Sequence, residues 1–380
     1  MVYNDFQDIR LSALGFGAMR LPVIDGDDAR IDKDRAFAMV DTAMKAGINY
    51  YDTAWGYHEG NSELVMGEAL KSYPRESFYL ATKFPGYDLS NMPKVREIFE
   101  EQLKKLQTDY FDFYLFHNVC ELNINQYLDP KFGIYDYLIE QKKAGRIRHL
   151  GFSCHGEFDV LKRFVDAYGD DMEFCQLQIN YLDWKFQKAD EKVALLKEKG
   201  IPVWVMEPLR GGKLASIDEH YEKKLNELRP DESVPAWAFR FLQTIPEVTM
   251  ILSGMSDEEQ LDKNIRTFEE RKPLDDNELK ELMLIAADMQ GRTKVPCTAC
   301  RYCTTHCPQH IDIPRIMSLY NEHMLTVEDG GLGFIAPMAL PAMEDGTRPA
   351  DCLHCRSCEQ VCPQSIKISE VMTDFVEKIG

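Results

Sequence analysis

Eight cysteines near the carboxyl end of the chain form two runs with the same spacing. Each run reads C-x2-C-x2-C-x3-C followed by proline, and the members are Cys297, Cys300, Cys303 and Cys307, then Cys352, Cys355, Cys358 and Cys362. Three thiolates spaced in this way bind one [4Fe–4S] cluster, and in two-cluster proteins the fourth cysteine of each run binds the other cluster. The spacing therefore predicts two [4Fe–4S] clusters, one on Cys297, Cys300, Cys303 and Cys362, the other on Cys352, Cys355, Cys358 and Cys307.

Zinc is the alternative metal for such runs, because four-cysteine zinc sites also use C-x2-C pairs. Two matched runs of four, each closed by a proline, favour iron and sulfur. Cys120, Cys154 and Cys175 lie outside the runs, and we interpret them as packing residues.

Four further side chains can exchange or stabilise protons. The apolar run that ends at Tyr51 is followed by Asp52, Tyr57 lies five residues further on, and two later apolar runs end in Lys83 and His117. Reduction of a carbonyl by hydride leaves an alkoxide that must be protonated, and an ammonium beside a phenol favours loss of the phenolic proton. We therefore predict Tyr57 as the proton donor, tuned by Lys83. Asp52 is then the counter-ion of the lysine, and His117 orients the carbonyl group.

The alternative interpretation of these four residues is an ordinary buried Asp–Lys ion pair beside a hydrogen-bonded histidine.

The elements that hold these residues alternate between strand and helix. Short β-rich runs occur at 14–17, 48–51, 78–82, 111–116, 147–152, 174–179, 203–206 and 248–252. Helical patterns occur at 34–46, 61–71, 93–106, 134–144, 157–168, 186–199, 234–244 and 257–269. Eight strand–helix units predict an α/β fold, a (β/α)8 TIM barrel whose active site lies at the carboxyl ends of the strands. Asp52, Lys83 and His117 fall at three of those ends.

The composition changes at residues 291–296, after a further helical pattern at 275–289. We predict that residues 1–290 form the barrel and that residues 291–380 form a small helical ferredoxin domain with the two clusters. Within that domain we predict a helix over 314–326 and an apolar loop over 330–341.

Charge and hydropathy limit the classes of partner. The chain has 380 residues and a net charge of −19, which repels phosphate backbones and argues against nucleic acid as a partner. No apolar stretch approaches the roughly 18 residues that a membrane span needs, and no secretory signal precedes the first strand, so we expect a cytoplasmic protein without a membrane partner.

Asp52, Tyr57, Lys83 and His117 together resemble the catalytic tetrad of the aldo-keto reductases, and the resemblance extends over about residues 3 to 290. With the cysteine runs included, the chain is similar to the ferredoxin-fused branch of that family. The resemblance implies a small carbonyl or alcohol substrate and a nicotinamide cofactor, NADP or NAD. The residues that it implies as cofactor contacts are Ala18, Met19, Ser153, Gln178, Met206, Pro208, Leu209, Gly211, Ser253, Gly254, Gln260 and Asn264.

Several of these positions depart from the family pattern. Cys154 stands in place of the asparagine that holds the carboxamide, and Met206 in place of the tyrosine that stacks on the ring. Gly254 and Gln260 replace the lysine and arginine that often bind the 2′-phosphate. The choice between NADP and NAD therefore stays open, as does tight binding of a nicotinamide.

Three functions follow from these observations. The first is an NAD(P)H-dependent carbonyl reductase whose clusters exchange electrons with a redox protein or flavoprotein partner, because a hydride carries two electrons and each cluster passes one. The second is a reductase that receives single electrons from its clusters and needs no nicotinamide. The third is an electron-relay subunit in which the barrel is a scaffold.

Overall fold

The computed structural model describes residues 1–120, 122–156, 158–292, 294–328, 335–341 and 343–379. Ten strands lie in these ranges: β1 Tyr3–Phe6, β2 Ile9–Ser12, β3 Leu14–Gly17, β4 Tyr50–Asp52, β5 Tyr79–Phe84, β6 Phe111–Val119, β7 Ile147–Cys154, β8 Cys175–Gln178, β9 Val203–Met206 and β10 Val248–Gly254. Strands β3 to β10 are parallel and follow one another in chain order around a closed barrel, in which β10 pairs with β3. The predicted TIM barrel is confirmed.

Helices follow the barrel strands, as parallel strands require a crossover connection. In the first part of the chain they are α1 Lys33–Lys45, α2 Ser62–Leu70, α3 Val95–Lys105, α4 Ile124–Tyr127, α5 Ile134–Lys143, α6 Phe158–Tyr168, α7 Asp183–Phe186 and α8 Ala189–Glu198. The later helices are α9 Glu219–Leu228, α10 Val234–Leu242, α11 Glu258–Thr267, α12 Asp276–Arg292, α13 Ile313–Glu328, α14 Ile335–Ala339, α15 Ser357–Gln360 and α16 Ile368–Ile379.

The strands extend further toward the site than the apolar runs predict. Strand β5 includes Lys83 and ends at Phe84, and β6 includes His117 and ends at Val119. Both residues therefore lie inside strands rather than just beyond them, because ladder hydrogen bonds do not depend on side-chain polarity. The pairing of β6 with β7 is irregular between Phe116 and Val119, at the level of the histidine.

The amino-terminal hairpin of β1 and β2 and helix α9 are features that sequence periodicity missed. The hairpin brings Phe6 against the core at the amino end of the barrel, where its ring meets Trp204 edge-on at 4.9 Å. Phe113 packs against the same pair of rings. Burial of each such side chain contributes about 1.5–3 kcal/mol, so the hairpin is part of the barrel core.

The chain divides into two compact units, and the second contains both cysteine runs. The first unit comprises residues 1–209 and 215–279, and the second comprises residues 210–214 and 280–380. The domain boundary after residue 290 stays a prediction.

In the second unit, Tyr320 on α13 meets Phe375 on α16 edge-on at 5.3 Å, so these two helices pack together. The predicted helix over 314–326 appears as α13. Of the predicted loop, residues 330–334 lie outside the described residues, and 335–339 form α14. None of the helices in the described ranges is long and apolar enough to cross a membrane.

Candidate active site

Asp52 and Lys83 form a buried ion pair at the carboxyl end of the barrel. Asp52 ends β4, and Lys83 lies on the neighbouring β5, two residues beyond Ala81, which pairs with Asp52. The Lys83 ammonium lies 2.5 Å from Asp52 Oδ1 and donates to the Thr53 carbonyl at 2.9 Å, and only 1% of the lysine side chain is exposed. A charge removed from water to this extent is stable only with such partners.

The loop after β4 brings Tyr57 to this ion pair. Lys83 Nζ donates to the Tyr57 hydroxyl at 3.3 Å and lies 4.9 Å from the centre of the phenol ring. Tyr57 begins a 3-10 turn that ends at Gly60. In this turn the His58 ring accepts the Leu21 amide at 3.0 Å, which fixes the turn against the loop after β3.

His117 on β6 completes the group, and Tyr87 packs beside it. The ring of His117 meets that of Tyr57 edge-on at 5.9 Å and that of Tyr87 edge-on at 5.2 Å. Its Nδ1 is buried and has no hydrogen-bond partner within the described ranges. Buried polar atoms are almost always paired, and the core residue Trp204 has a similarly unpaired ring nitrogen within the described ranges. It is therefore the position of His117 beside Tyr57 and Tyr87, together with this nitrogen, that favours a functional site. The structure thus brings the four predicted catalytic residues together, and their roles stay a prediction.

Burial controls the protonation of these groups. It raises the pKa of Tyr57 well above the usual value, and the Asp52 carboxylate adds to this rise. It lowers the pKa of Lys83, although Asp52 opposes the change. It also lowers the pKa of His117 well below the usual range, and Lys83 acts in the same direction. At neutral pH Tyr57 therefore keeps its proton and His117 is a neutral imidazole.

Burial, and not the ammonium of Lys83, therefore dominates the pKa of Tyr57 in the free protein.

Gln176 is a site residue that the sequence analysis missed. It lies on β8, and its Nε2 donates to Asp52 Oδ2 at 2.7 Å. Both oxygens of Asp52 therefore have donors, one from Lys83 and one from Gln176. The signal in the sequence was a polar residue between apolar neighbours in a barrel strand, which alternation places on a different face from them.

The residues predicted to hold a nicotinamide carboxamide lie on β7 and β8. Ser153 Oγ accepts a hydrogen bond from the backbone amide of Asn118 at 2.7 Å, and Gln178 Nε2 donates to Asp183 Oδ2 at 2.9 Å. The Ser153 hydroxyl has a proton of its own that it can donate to an amide oxygen. The Gln178 amide nitrogen is already used within the protein.

The residues predicted to hold the adenosine part lie at the end of β10 and in α11. Asn264 Nδ2 donates to Ser253 Oγ at 3.2 Å. Gln260 Nε2 donates to Asp257 at 2.8 Å, while its Oε1 accepts the Ser256 amide at 3.0 Å. The side chain of Gln260 therefore caps its own helix. Gly254 is exposed, and a Cβ placed there would lie 2.7 Å from Arg20 Cγ, so an arginine from another loop occupies this space.

The other predicted contacts differ in exposure. The amide of Ala18 donates to the Asp52 carbonyl at 2.8 Å. Ala18 and Pro208 are buried, Met19, Met206 and Leu209 are half-buried, and Gly211 is exposed with a φ of +66°.

Arg210, which precedes the predicted contact Gly211, is buried in the second unit, where it donates to the Pro296 carbonyl at 3.2 Å. The residues therefore fit a nicotinamide in part: Ser153 for its amide, Met206 for an apolar face of its ring, and Arg20 for a phosphate.

The eight cysteines of the second unit line two cavities. Cys297, Cys300, Cys303 and Cys362 line one of them, and Cys307, Cys352, Cys355 and Cys358 line the other. Both cavities have apolar walls, to which Ile313 and Ile368 contribute. Each cavity thus receives the fourth cysteine of the opposite run, which is the grouping that the spacing predicts. Four thiols within an apolar wall fit a [4Fe–4S] cluster.

Comparisons with known proteins agree with this division of the chain. The model of the aldo/keto reductase family matches residues 13–286, and that of a 4Fe-4S dicluster domain matches residues 296–366.

Individual proteins are similar to the first part. The NADH-specific methylglyoxal reductase of Escherichia coli is 27% identical over 304 residues, which are 68% of this chain and 90% of that enzyme. The L-galactose dehydrogenase of Arabidopsis thaliana is 26% identical over 313 residues, which are 75% of this chain and 93% of that enzyme. The holo form of an aldo-keto reductase from Bacillus halodurans superimposes with a TM-score of 0.62 and 26% identity, covering 75% of this chain and 96% of that chain.

Proposed function

Because the chain belongs to the aldo/keto reductase family and carries a 4Fe-4S dicluster domain, we propose that this oxidoreductase reduces a small carbonyl compound to an alcohol with NADH or NADPH. The observation that carries the proposal is the contact of one buried ammonium, Lys83, with both Asp52 at 2.5 Å and the Tyr57 hydroxyl at 3.3 Å. A phenol beside a fixed positive charge, at the end of the barrel where such enzymes bind their substrates, supports the proposal.

Tyr57 is the proton donor of the reaction. A bound nicotinamide supplies a hydride, that is, two electrons and one hydrogen, to the carbonyl carbon. The C=O double bond becomes a single bond, and the oxygen takes the phenolic proton of Tyr57. Lys83 stabilises the resulting phenolate, which then recovers a proton from water. The neutral imidazole of His117 donates to the carbonyl oxygen and orients it.

The raised pKa of Tyr57 favours the reductive direction. Burial keeps the phenol protonated at neutral pH, and a newly formed alkoxide is a much stronger base than the phenolate. Oxidation of an alcohol needs the phenolate at the start, and that form is disfavoured in the free protein.

The names of similar enzymes suggest where to look for a substrate. One is named for reduction of methylglyoxal with NADH, and another for oxidation of L-galactose. We propose a small aldehyde or ketone as substrate, and the first reactions to assay are reduction of methylglyoxal and, in the reverse direction, oxidation of L-galactose. The proposal covers both NADH and NADPH. The side chain of Gln260 is bonded within its own helix, which argues against binding of the 2′-phosphate of NADPH, whereas Arg20 beside Gly254 is a cation that could bind it.

We propose that the second unit holds two [4Fe–4S] clusters and exchanges single electrons with a redox protein or flavoprotein. The four cysteines around each cavity support the clusters. The partner follows from electron counting: a hydride moves two electrons at once, each cluster moves one, and a flavin is the usual group that converts between them.

A cluster-fed reductase without nicotinamide is the second candidate. Two hydrogen bonds favour it, one from Gln178 to Asp183 and one from Gln260 to Asp257. The side-chain amide nitrogens that would contact a cofactor already donate within the protein. Titration of the purified holoprotein with NADH and with NADPH, followed by fluorescence, distinguishes the two. A micromolar Kd for either nucleotide supports the nicotinamide-dependent reductase, and absence of binding to both supports this second candidate.

The substitution Tyr57→Phe tests the proposed function. It removes the donated proton and leaves the ring in place, so kcat for carbonyl reduction should fall by about 10²–10⁴-fold. The Kd for the nicotinamide should stay unchanged. Tyr73→Phe is the matched control, because that phenol bonds Asp41 away from the site and its loss should leave kcat unaltered. Equal carbonyl turnover by Tyr57→Phe and the wild type would contradict the role of Tyr57 as the proton donor. Unchanged activity of Tyr57→Phe in cells that lack the native copy would favour the electron-relay hypothesis.

A further inference from the structure

Glu63, on helix α2, is a carboxyl group with no exposed surface. Its relative exposure is 0%, and burial raises its pKa, although partners oppose the change. Enclosing a carboxylate away from water costs several kcal/mol unless charged or hydrogen-bonding partners offset it. No part of the reaction described above uses this group.

Glu63 is bonded to the strand that carries Lys83. Its Oε1 accepts the hydroxyl of Thr82 at 2.7 Å and the amide of Gln102 at 2.7 Å. The same Gln102 amide nitrogen donates to the Lys83 carbonyl at 2.9 Å, while Gln102 Oε1 accepts the hydroxyl of Tyr114 at 2.7 Å. The carboxyl group is therefore fixed behind Lys83 by groups that are themselves fully buried.

Glu63 is also linked to the loop that carries Tyr57. Its Oε2 lies 3.4 Å from the Lys105 ammonium, which lies 3.8 Å from the centre of a Trp55 ring. Trp55 is two residues before Tyr57. The side chain of Glu63 thus joins three elements that set the geometry of the site: strand β5, helix α3 and the loop after β4.

We propose that Glu63 is a positioning residue for the reaction: it is a second counter-ion that, together with Asp52, keeps Lys83 protonated beside Tyr57. The inference rests on the proposed function, since it assigns the charge on Lys83 a part in proton transfer.

The proposed role of Glu63 depends on its negative charge as well as on its hydrogen bonds. Burial lowers the pKa of Lys83, while Asp52 first and Glu63 second oppose that change. A glutamine could make the contacts to Thr82 and Gln102 without the cost of a buried charge. Tyr57, protonated at neutral pH, and the neutral His117 add no charge beside Lys83. The opposing charge therefore comes from the two carboxylates, although the Lys105 ammonium offsets part of the charge of Glu63.

Glu63→Gln in the full-length holoprotein tests the inference, with Thr82→Val as the matched control. The first change removes the charge and keeps the size, whereas the second removes a hydrogen bond to the same carboxylate and keeps the charge. The titration of Lys83 is followed by NMR of protein labelled with ¹³C at lysine Cε, and its signal is assigned by its loss in Lys83→Met. The alkaline limb of the kcat/KM profile is measured alongside.

Both the NMR titration and the alkaline limb should shift to lower pH in Glu63→Gln and remain in place in Thr82→Val. Identical Lys83 titration in Glu63→Gln and wild type would overturn the inference, even with a lower Tm. If Glu63→Gln does not fold, the ionisation of Glu63 itself is followed in the wild type by NMR of protein labelled with ¹³C at glutamate Cδ, with the signal assigned by its loss in Glu63→Asp. An ionised Glu63 at neutral pH supports the inference, and a protonated Glu63 there would overturn it.

The NMR titration needs no turnover, so the two proposals fail separately. A shifted Lys83 signal in a protein that reduces no carbonyl would refute the proposed function and leave the electrostatic link intact. Carbonyl turnover with an unshifted Lys83 signal would do the reverse.

Discussion

At the residue scale, solvation decides which protonation states the site uses. Lys83, His117 and Tyr57 are all removed from water, and each is shifted toward its neutral form. For Tyr57 the neutral form is the proton donor, and for His117 it is the imidazole that can orient a carbonyl. Only Lys83 must resist this tendency, and it has a carboxylate in direct contact.

A pH profile follows from these directions. His117 is neutral throughout the neutral range, so kcat/KM for reduction should show no acid limb near its usual pKa of 6.5. On the alkaline side Lys83, whose pKa lies below its usual 10.5, should lose its proton before Tyr57, whose pKa lies well above its usual 10.0. Activity should therefore fall with rising pH before 10.5. Steady-state assays across the pH range check this, and an acid limb near 6.5 that disappears in His117→Gln would contradict it.

At the element scale, the carboxylate of Glu173 bonds to three elements, strand β7, helix α5 and the turn of the amino-terminal hairpin. Glu173, just before β8, lies 2.7 Å from the His149 ring on β7 and accepts Gln7 from the hairpin turn, also at 2.7 Å. It also contacts the ammonium of Lys142 on α5. Burial opposes ionisation of Glu173, but the hydrogen bonds from His149, Lys142 and Gln7 outweigh it and lower its pKa to about 2.

Glu173→Gln should therefore destabilise the barrel in a pH-dependent way. Because the folded pKa is lower than the usual 4.5, the stabilisation is complete above pH 4.5 and is lost as the pH falls toward 2. At neutral pH the substitution should lower the free energy of unfolding by about 2 kcal/mol, the scale of charge-assisted hydrogen bonds. Urea unfolding at several pH values measures it, with the exposed Glu191→Gln as control. A difference from wild type that does not narrow below pH 4.5 would contradict the electrostatic explanation.

At the scale of the whole molecule, one chain joins a barrel of a reductase family to a dicluster unit. The dicluster unit has its own connectivity: each cavity takes three cysteines from one run and one from the other. On the proposed cluster assignment the two runs depend on each other, since loss of one fourth cysteine should affect the cluster of the opposite run.

Double substitutions measure this connectivity. Cys307 and Cys352 line the same cavity. Cys307→Ala, Cys352→Ala and the double variant should therefore each retain about four iron atoms per chain, the content of one cluster. Cys303→Ala combined with Cys307→Ala affects both cavities and should leave almost none. Iron and sulfide analysis with EPR of the reduced protein checks this, and Cys120→Ala is the control. Equal iron loss in the two double variants would contradict the crossed assignment.

The sequence by itself determined the barrel, the two cysteine runs and the four polar residues of the candidate site, because each depends on local spacing along the chain. Strand and helix alternate with their own periods, and cluster ligands are separated by fixed numbers of residues. Tertiary structure alone decided the surroundings of Lys83. Gln176 is 124 residues from Asp52 in the chain, and Glu63 is 19 from Thr82, so no local pattern pairs them. The direction of the pKa shift of Tyr57 also depends on the tertiary structure, because desolvation is set by all the groups that pack around the phenol.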